Sequence, residues 1–133
     1  MSLNVMLVDD EESALYLHQL VLRESSRIGH IHTFQSAADA LDFLQAAPHD
    51  IHVVFLDIYM PGMDGFEFLD AYELLDIAHK AENVVALLTS SLRKTDRERA
   101  RERGLVQTFV EKPLHGSDLD AVLDGLYPDT SPR

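Results

Sequence analysis

The stretch Val53-Val54-Phe55-Leu56-Asp57 constrains the fold more than any other part of the chain. Four consecutive apolar residues, mostly β-branched or aromatic and with no polar alternation, suit a strand buried on both faces, as in a parallel sheet covered by helices on each side. A carboxylate inside such a strand would be costly, so Asp57 belongs at its C-terminal end, where an open parallel sheet has its ligand-binding crevice. Pro61-Gly62 and Asp64-Gly65 then turn the chain. Asp64, with Glu67 three residues on, has the pattern of a capping box that starts a helix.

The same grammar repeats along the chain. Leu3 to Val8 reads as a first buried strand ending at Asp9-Asp10-Glu11-Glu12. Residues 13–24 read as a helix, with Leu17, Leu20, Val21 and Glu24 at helical spacing and its apolar positions on one face. After a Ser-Arg-Ile-Gly turn, a modest strand is expected over 31–34, and Ser36 then caps a helix whose Ala37, Ala40, Leu41 and Leu44 share a face. A third helix is expected over about 64–79, facing the sheet with Phe66, Leu69, Tyr72 and Leu75. An all-apolar strand over 84–88 closes on Thr89-Ser90-Ser91, and a fifth over 106–110 leads to Glu111-Lys112-Pro113. A last helix over 117–126 offers Leu119, Val122, Leu123 and Leu126. Between the last two strands, residues 93–103 form a helical stretch with almost no apolar stripe that holds six of the chain's 11 basic residues. It reads either as a solvated face laced with pairs such as Asp96 with Arg99, each contributing about 0.3 kcal/mol, or as a weakly anchored element that shifts and presents a partner surface.

Five strands alternating with five helices imply a doubly wound α/β domain with a parallel sheet, because parallel neighbours need crossover connections. At 133 residues the chain is most simply one domain, over 1–127, with 128–133 expected as a disordered tail. With 23 acidic against 11 basic side chains, direct grip on nucleic acid is disfavoured and cations or basic partner surfaces are favoured. Absent cysteine excludes disulfides and thiolate metal sites, and no signal peptide or membrane-length apolar run occurs, so the expectation is a cytoplasmic protein.

Four strand ends carry pointed chemistry: Asp9 with Asp10, Asp57, Thr89 and Lys112. In a parallel sheet these ends share one rim. Three carboxylates brought together repel and raise at least one pKa unless a cation joins them, and an oxygen-only set with few protein ligands suits Mg²⁺. A lysine charge and a threonine hydroxyl suit phosphoryl oxygens, so the set describes a site that moves a phosphoryl group onto or off a carboxylate. A lone Asp before a turn is ordinarily a cap; the company of the other residues gives Asp57 its functional reading. The histidine pairs His30 with His32 and His49 with His52 lack a third ligand at a metal-site spacing and read as packing or surface residues.

Asp9-Asp10, Asp57 within Leu-Asp-Ile-Tyr-Met-Pro-Gly-Met-Asp-Gly, Thr89-Ser90 and Lys112-Pro113, in that order over residues 3–126, resemble the receiver domain of two-component response regulators. The resemblance implies a flavodoxin-like fold with strand order 2-1-3-4-5 and Asp57 as the phospho-acceptor, supplied by a sensor histidine kinase, a phosphotransfer protein or a small phosphodonor. It implies Mg²⁺ held by Asp9, Asp10, Asp57 and the backbone carbonyl of Tyr59, with Asp9 acting mainly through water. Lys112 would pair with the phosphoryl group, with a cis Lys112-Pro113 bond, and Thr89 with Phe109 would form the switch. It further implies a bacterial signalling protein rather than an enzyme, a downstream protein target, and a monomer or phosphorylation-dependent dimer; that target is expected to be met through residues 90–110, where the basic stretch is weakly anchored. Phe109 stands where tyrosine is frequent and Ser90 where alanine is common; Tyr59 and Ser91 fall where the family tunes phosphoryl lifetime. The chain is read as stand-alone or as a receiver fragment of a larger regulator or hybrid kinase. Two rivals stand beside it. A haloacid-dehalogenase-type phosphatase wants a second Asp where this chain has Tyr59, and a phosphate-independent scaffold typically loses one of the acidic or lysine positions retained here.

Overall fold

The computed structural model describes residues 2–46, 49–60, 62–76, 79–81, 83–88, 98, 102 and 106–128. Five strands, β1 (Leu3–Val8), β2 (Ile28–Phe34), β3 (Val53–Asp57), β4 (Asn83–Leu88) and β5 (Val106–Glu111), form one sheet in the order β2-β1-β3-β4-β5. Every neighbouring pair is parallel. Four helices are described: α1 (Glu12–Arg23), α2 (Ala37–Ala46), α3 (Gly65–Glu73) and α4 (Gly116–Leu126). Between β4 and β5, Glu98 and Glu102 have helical backbone, and the rest of the expected basic helix lies outside the described residues.

The alternation of side chains along each strand divides the core between the two sheet faces. Met6, Val8, Val54 and Leu56 pack with α2 and α3, whose buried residues include Leu44, Phe68 and Leu69. Leu3, Val5, Leu7, Val53 and Phe55 point the other way and pack with α1 and α4 through Leu15, Leu22, Leu119 and Leu123. This is the expected doubly wound, flavodoxin-like arrangement. All six residues of β1 and all five of β3 are buried.

Three expectations change. The buried face of α1 is Leu15, His18 and Leu22, whereas Leu17 is 55% and Leu20 40% exposed. Apolar residues surround more than half of this helix, so periodicity alone does not choose the face. Strand β2 begins at Ile28, three residues earlier than expected, and the supposed turn glycine lies within it. A Cβ on Gly29 would sit 2.8 Å from the Asn4 side-chain oxygen, which accepts the His30 N–H, so the glycine serves close approach of β1 and β2. Helix α3 stops at Glu73 rather than near residue 79. The N–H groups of Leu74 and Leu75 bond the carbonyls of Ala71 and Tyr72, three residues back, which tightens the last turn; no Gly or Pro signals this stop.

Both caps expected at Asp64 and Ser36 are present. Asp64 accepts the Glu67 N–H at 2.9 Å while Glu67 accepts the Asp64 N–H at 3.3 Å, which starts α3 immediately after the turn that follows Asp57. Ser36 accepts the Asp39 N–H at 3.0 Å at the head of α2.

Candidate functional site

With every strand parallel, the C-terminal ends of β1, β3 and β5 deliver Asp9 and Asp10, Asp57 and Lys112 to one rim. One carboxylate oxygen from each of Asp9, Asp10 and Asp57 lies within 4.8 Å of the others. Asp9 and Asp57 are buried, at 1% and 2% exposure, while Asp10 is half-buried. Lys112 reaches into the group: its Nζ donates to Asp9 Oδ2 at 2.8 Å and lies 3.6 Å from Asp57 Oδ2. Backbone donors hold the other oxygens, with the Glu11 N–H on Asp9 Oδ1 at 3.0 Å and the Tyr59 N–H on Asp57 Oδ1 at 3.2 Å. Gly65 closes the turn below, its N–H bonding the Ile58 carbonyl at 2.9 Å. A Cβ there would stand 2.6 Å from the Ile58 Cα, so the backbone approach needs glycine.

The electrostatics follow from placing three acids and one base in a partly dry site. Burial first, then the charge of Asp9, pushes the Asp57 carboxyl up to about 7, against the opposing pull of Lys112 and the Tyr59 N–H. Burial alone would lower the Lys112 pKa, but its hydrogen bond to Asp9 and the charge of Asp57 outweigh that, so it stays cationic with a raised pKa. The site therefore holds more negative charge than its lysine balances. That donor set, all oxygen and under-neutralised, fits a hard divalent cation.

The structure brings together Asp9, Asp10, Asp57 and Lys112, and gives Tyr59 a role at its N–H that the sequence did not indicate. The Tyr59 side chain is 41% exposed beside the site. Phe109, half-buried on β5, packs against the cluster formed with α2 and α3. Thr89, Ser90 and Ser91 lie outside the described residues, as does most of 90–110, where a partner surface is expected. The Lys112-Pro113 bond is cis. Two of the histidines set aside as metal ligands have packing roles: the His49 Nε2 meets the His79 carbonyl at 2.7 Å, and the His52 Nδ1 accepts the Asn4 N–H at 2.9 Å. His18, buried on α1, was not singled out by the sequence because nothing in its spacing separates it from the leucines around it.

A parallel 2-1-3-4-5 sheet with an acidic triad and a lysine at its rim defines a receiver-type α/β domain. The chain belongs to the response regulator receiver domain family, whose model matches residues 5–124. It is similar to the heme response regulator HssR of Staphylococcus epidermidis, 37% identical over 118 residues that cover 88% of this chain and 48% of that protein. It is also similar to the cyclic di-GMP phosphodiesterase response regulator RpfG of Xanthomonas campestris, 31% identical over 121 residues, or 91% of this chain and 31% of that protein. The chain thus spans half or less of the length of these two relatives. Among solved structures, a response regulator receiver protein from Dyadobacter fermentans superposes with a TM-score of 0.84 at 28% identity, covering 96% of this chain and 100% of that one. A two-component response regulator from Cytophaga hutchinsonii gives 0.81 at 26%, covering 97% and 100%.

Proposed function

We propose that this chain is a phosphorylatable signalling switch of a two-component system, with Asp57 as the acceptor. The observation that carries this reading is Asp57 itself: a buried carboxylate whose oxygens lie within reach of two further acids, with the Lys112 ammonium 3.6 Å away. One Asp57 oxygen attacks phosphorus, the bond from phosphorus to the donor breaks, and the donor leaves with that electron pair, giving an acyl phosphate. The Tyr59 N–H holds the other oxygen and so orients the nucleophile. Lys112, already oriented by Asp9, stands where the charge of the incoming phosphoryl oxygens gathers. Asp9, Asp10 and Asp57, with the Tyr59 carbonyl, are the residues that would hold Mg²⁺. When bound, the ion neutralises the charge that the attacking carboxylate and the phosphoryl group bring together. Thr89 is assigned to the phosphoryl oxygens and Phe109 to the switch by family resemblance.

The donor is a sensor histidine kinase, a phosphotransfer protein or a small phosphodonor, and the output is a changed protein-binding surface, not turnover of a separate substrate. The site of action is the cytoplasm; no described helix is long and apolar enough to cross a membrane. The coverage of the relatives favours a second reading of context, a receiver within a larger regulator, with the same chemistry at Asp57. The heme and cyclic di-GMP in the relatives' names describe those proteins. Incubation with acetyl phosphate and Mg²⁺, followed by intact mass, tests the proposal. The wild type should gain one labile phosphoryl group and Asp57→Ala none; a wild type that gains none with Mg²⁺ present overturns it in favour of a scaffold.

A further inference from the structure

We propose that His18, on α1 and outside the carboxylate cluster, is a positioning residue for Lys112. This inference rests on the reading of Lys112 as the phosphoryl-binding cation. His18 is 2% exposed, and its Nε2 accepts the N–H of Leu114 at 3.2 Å. Leu114 is itself 2% exposed and follows Lys112 by two residues. The segment after β5 is therefore tied to the start of the chain at two points. One is the Lys112 bond to Asp9 at 2.8 Å; the other is Leu114 on His18. A single tie lets the segment swivel about Asp9, whereas two ties set the direction from which the Lys112 ammonium approaches Asp57.

The chemistry of the imidazole separates this role from space filling. To accept from Leu114, His18 must be neutral, with its proton on Nδ1. Nδ1 is buried and has no hydrogen-bond partner among the described residues. Burial, and after it the charge of Lys112, lower the pKa of His18 and favour the neutral, accepting form. A leucine or phenylalanine would fill the volume without a desolvated N–H of its own, but would leave the Leu114 N–H without its acceptor. Among the described residues, the imidazole thus leaves one N–H without a partner while its other nitrogen makes the bond that holds the lysine segment.

The test compares wild type with His18→Phe, His18→Leu and His18→Gln; the Gln Oε1 can stand where Nε2 stands, while the other two remove the acceptor. Three readouts are taken: the rate of phosphorylation by acetyl phosphate at saturating Mg²⁺, the exchange rate of the Leu114 amide, and the NMR signals of isotope-labelled lysine. The chain's lysines are Lys80, Lys94 and Lys112, so the Lys112 signal is readily assigned with Lys112→Arg. His18→Phe and His18→Leu should phosphorylate about tenfold more slowly, exchange Leu114 faster, and move the Lys112 signal toward that of a solvated lysine. His18→Gln should stay within about twofold of wild type in rate and keep the Lys112 signal in place. Wild-type rates and an unmoved Lys112 signal in the Phe and Leu variants overturn the proposal, as does a Gln variant as slow as they are. A wild type that takes up no phosphoryl group defeats the proposed function instead, and the Lys112 signal then decides the positioning role alone.

Discussion

Asp57→Asn is expected to stabilise the magnesium-free protein above neutral pH and to leave it unchanged in acid. The Asp57 carboxyl is pushed from its ordinary 3.8 up to about 7, chiefly by burial and then by Asp9. A carboxylate that binds its proton more tightly in the fold than in the unfolded chain costs stability as pH rises between those two values. The cost is absent below the unfolded value and fully present above the folded one. At about 1.4 kcal/mol for each tenfold in proton affinity, the ionised carboxylate opposes folding by roughly 4 kcal/mol. The pull of Lys112 3.6 Å away and of the Tyr59 N–H is already contained in that raised pKa, and the amide can still accept from Tyr59, so the net gain should be about 3–4 kcal/mol at pH 8. For a domain of this size that is a rise in Tm of roughly 10 °C. Thermal melts at pH 8 and pH 3.5, with EDTA and with Mg²⁺, measure it. The gain should vanish at pH 3.5, and should shrink in Mg²⁺, because an ion held by the carboxylates would stabilise the wild type by binding its native state. Equal gains at both pH values would mean that the amide acts through packing, and no gain at pH 8 would refute the account of the site as over-charged.

Other substitutions probe the scaffold. Gly65→Ala places a Cβ 2.6 Å from the Ile58 Cα and should cost about 2–3 kcal/mol in urea unfolding, with impaired phosphorylation because the same turn carries Tyr59. Asp64→Ala removes one half of the capping box and should cost about 1 kcal/mol, leaving the phosphorylation rate unchanged. Lys112→Ala should slow phosphorylation by acetyl phosphate about 100-fold while the fold survives, read by intact mass over time. Arg27, 6% exposed, donates to Asp124 at 2.7 Å and to the Tyr127 carbonyl at 2.9 Å; Arg27→Ala should destabilise by about 2–3 kcal/mol and speed amide exchange over the end of α4.

The parallel sheet was legible because Val5 to Val8 and Val53 to Leu56 are unbroken apolar runs, which suit a strand covered on both faces. Asp9, Asp10, Asp57 and Lys112 were legible because parallel strands bring their ends to one rim, so order along the chain becomes proximity in space. The rotation of α1 was not legible: Leu15, Leu17, Leu20, Val21 and Leu22 give more apolar residues than one face needs. Nor was the stop of α3 at Glu73, which rests on backbone bonds rather than on a breaker residue. Gly29 carries turn chemistry in a sequence but sits in a strand because Asn4 approaches it from β1. His18 stayed hidden because its partner is a backbone N–H 96 residues away, which no local pattern encodes.

Trapping the acyl phosphate shows which residue takes the phosphoryl group. The protein is treated with acetyl phosphate and Mg²⁺, reduced with borohydride, which converts an aspartyl phosphate to homoserine, and mapped by peptide mass spectrometry. Conversion is expected at position 57 alone and is abolished when EDTA replaces Mg²⁺; conversion at position 9 or 10, or at none, rules out Asp57 as the acceptor.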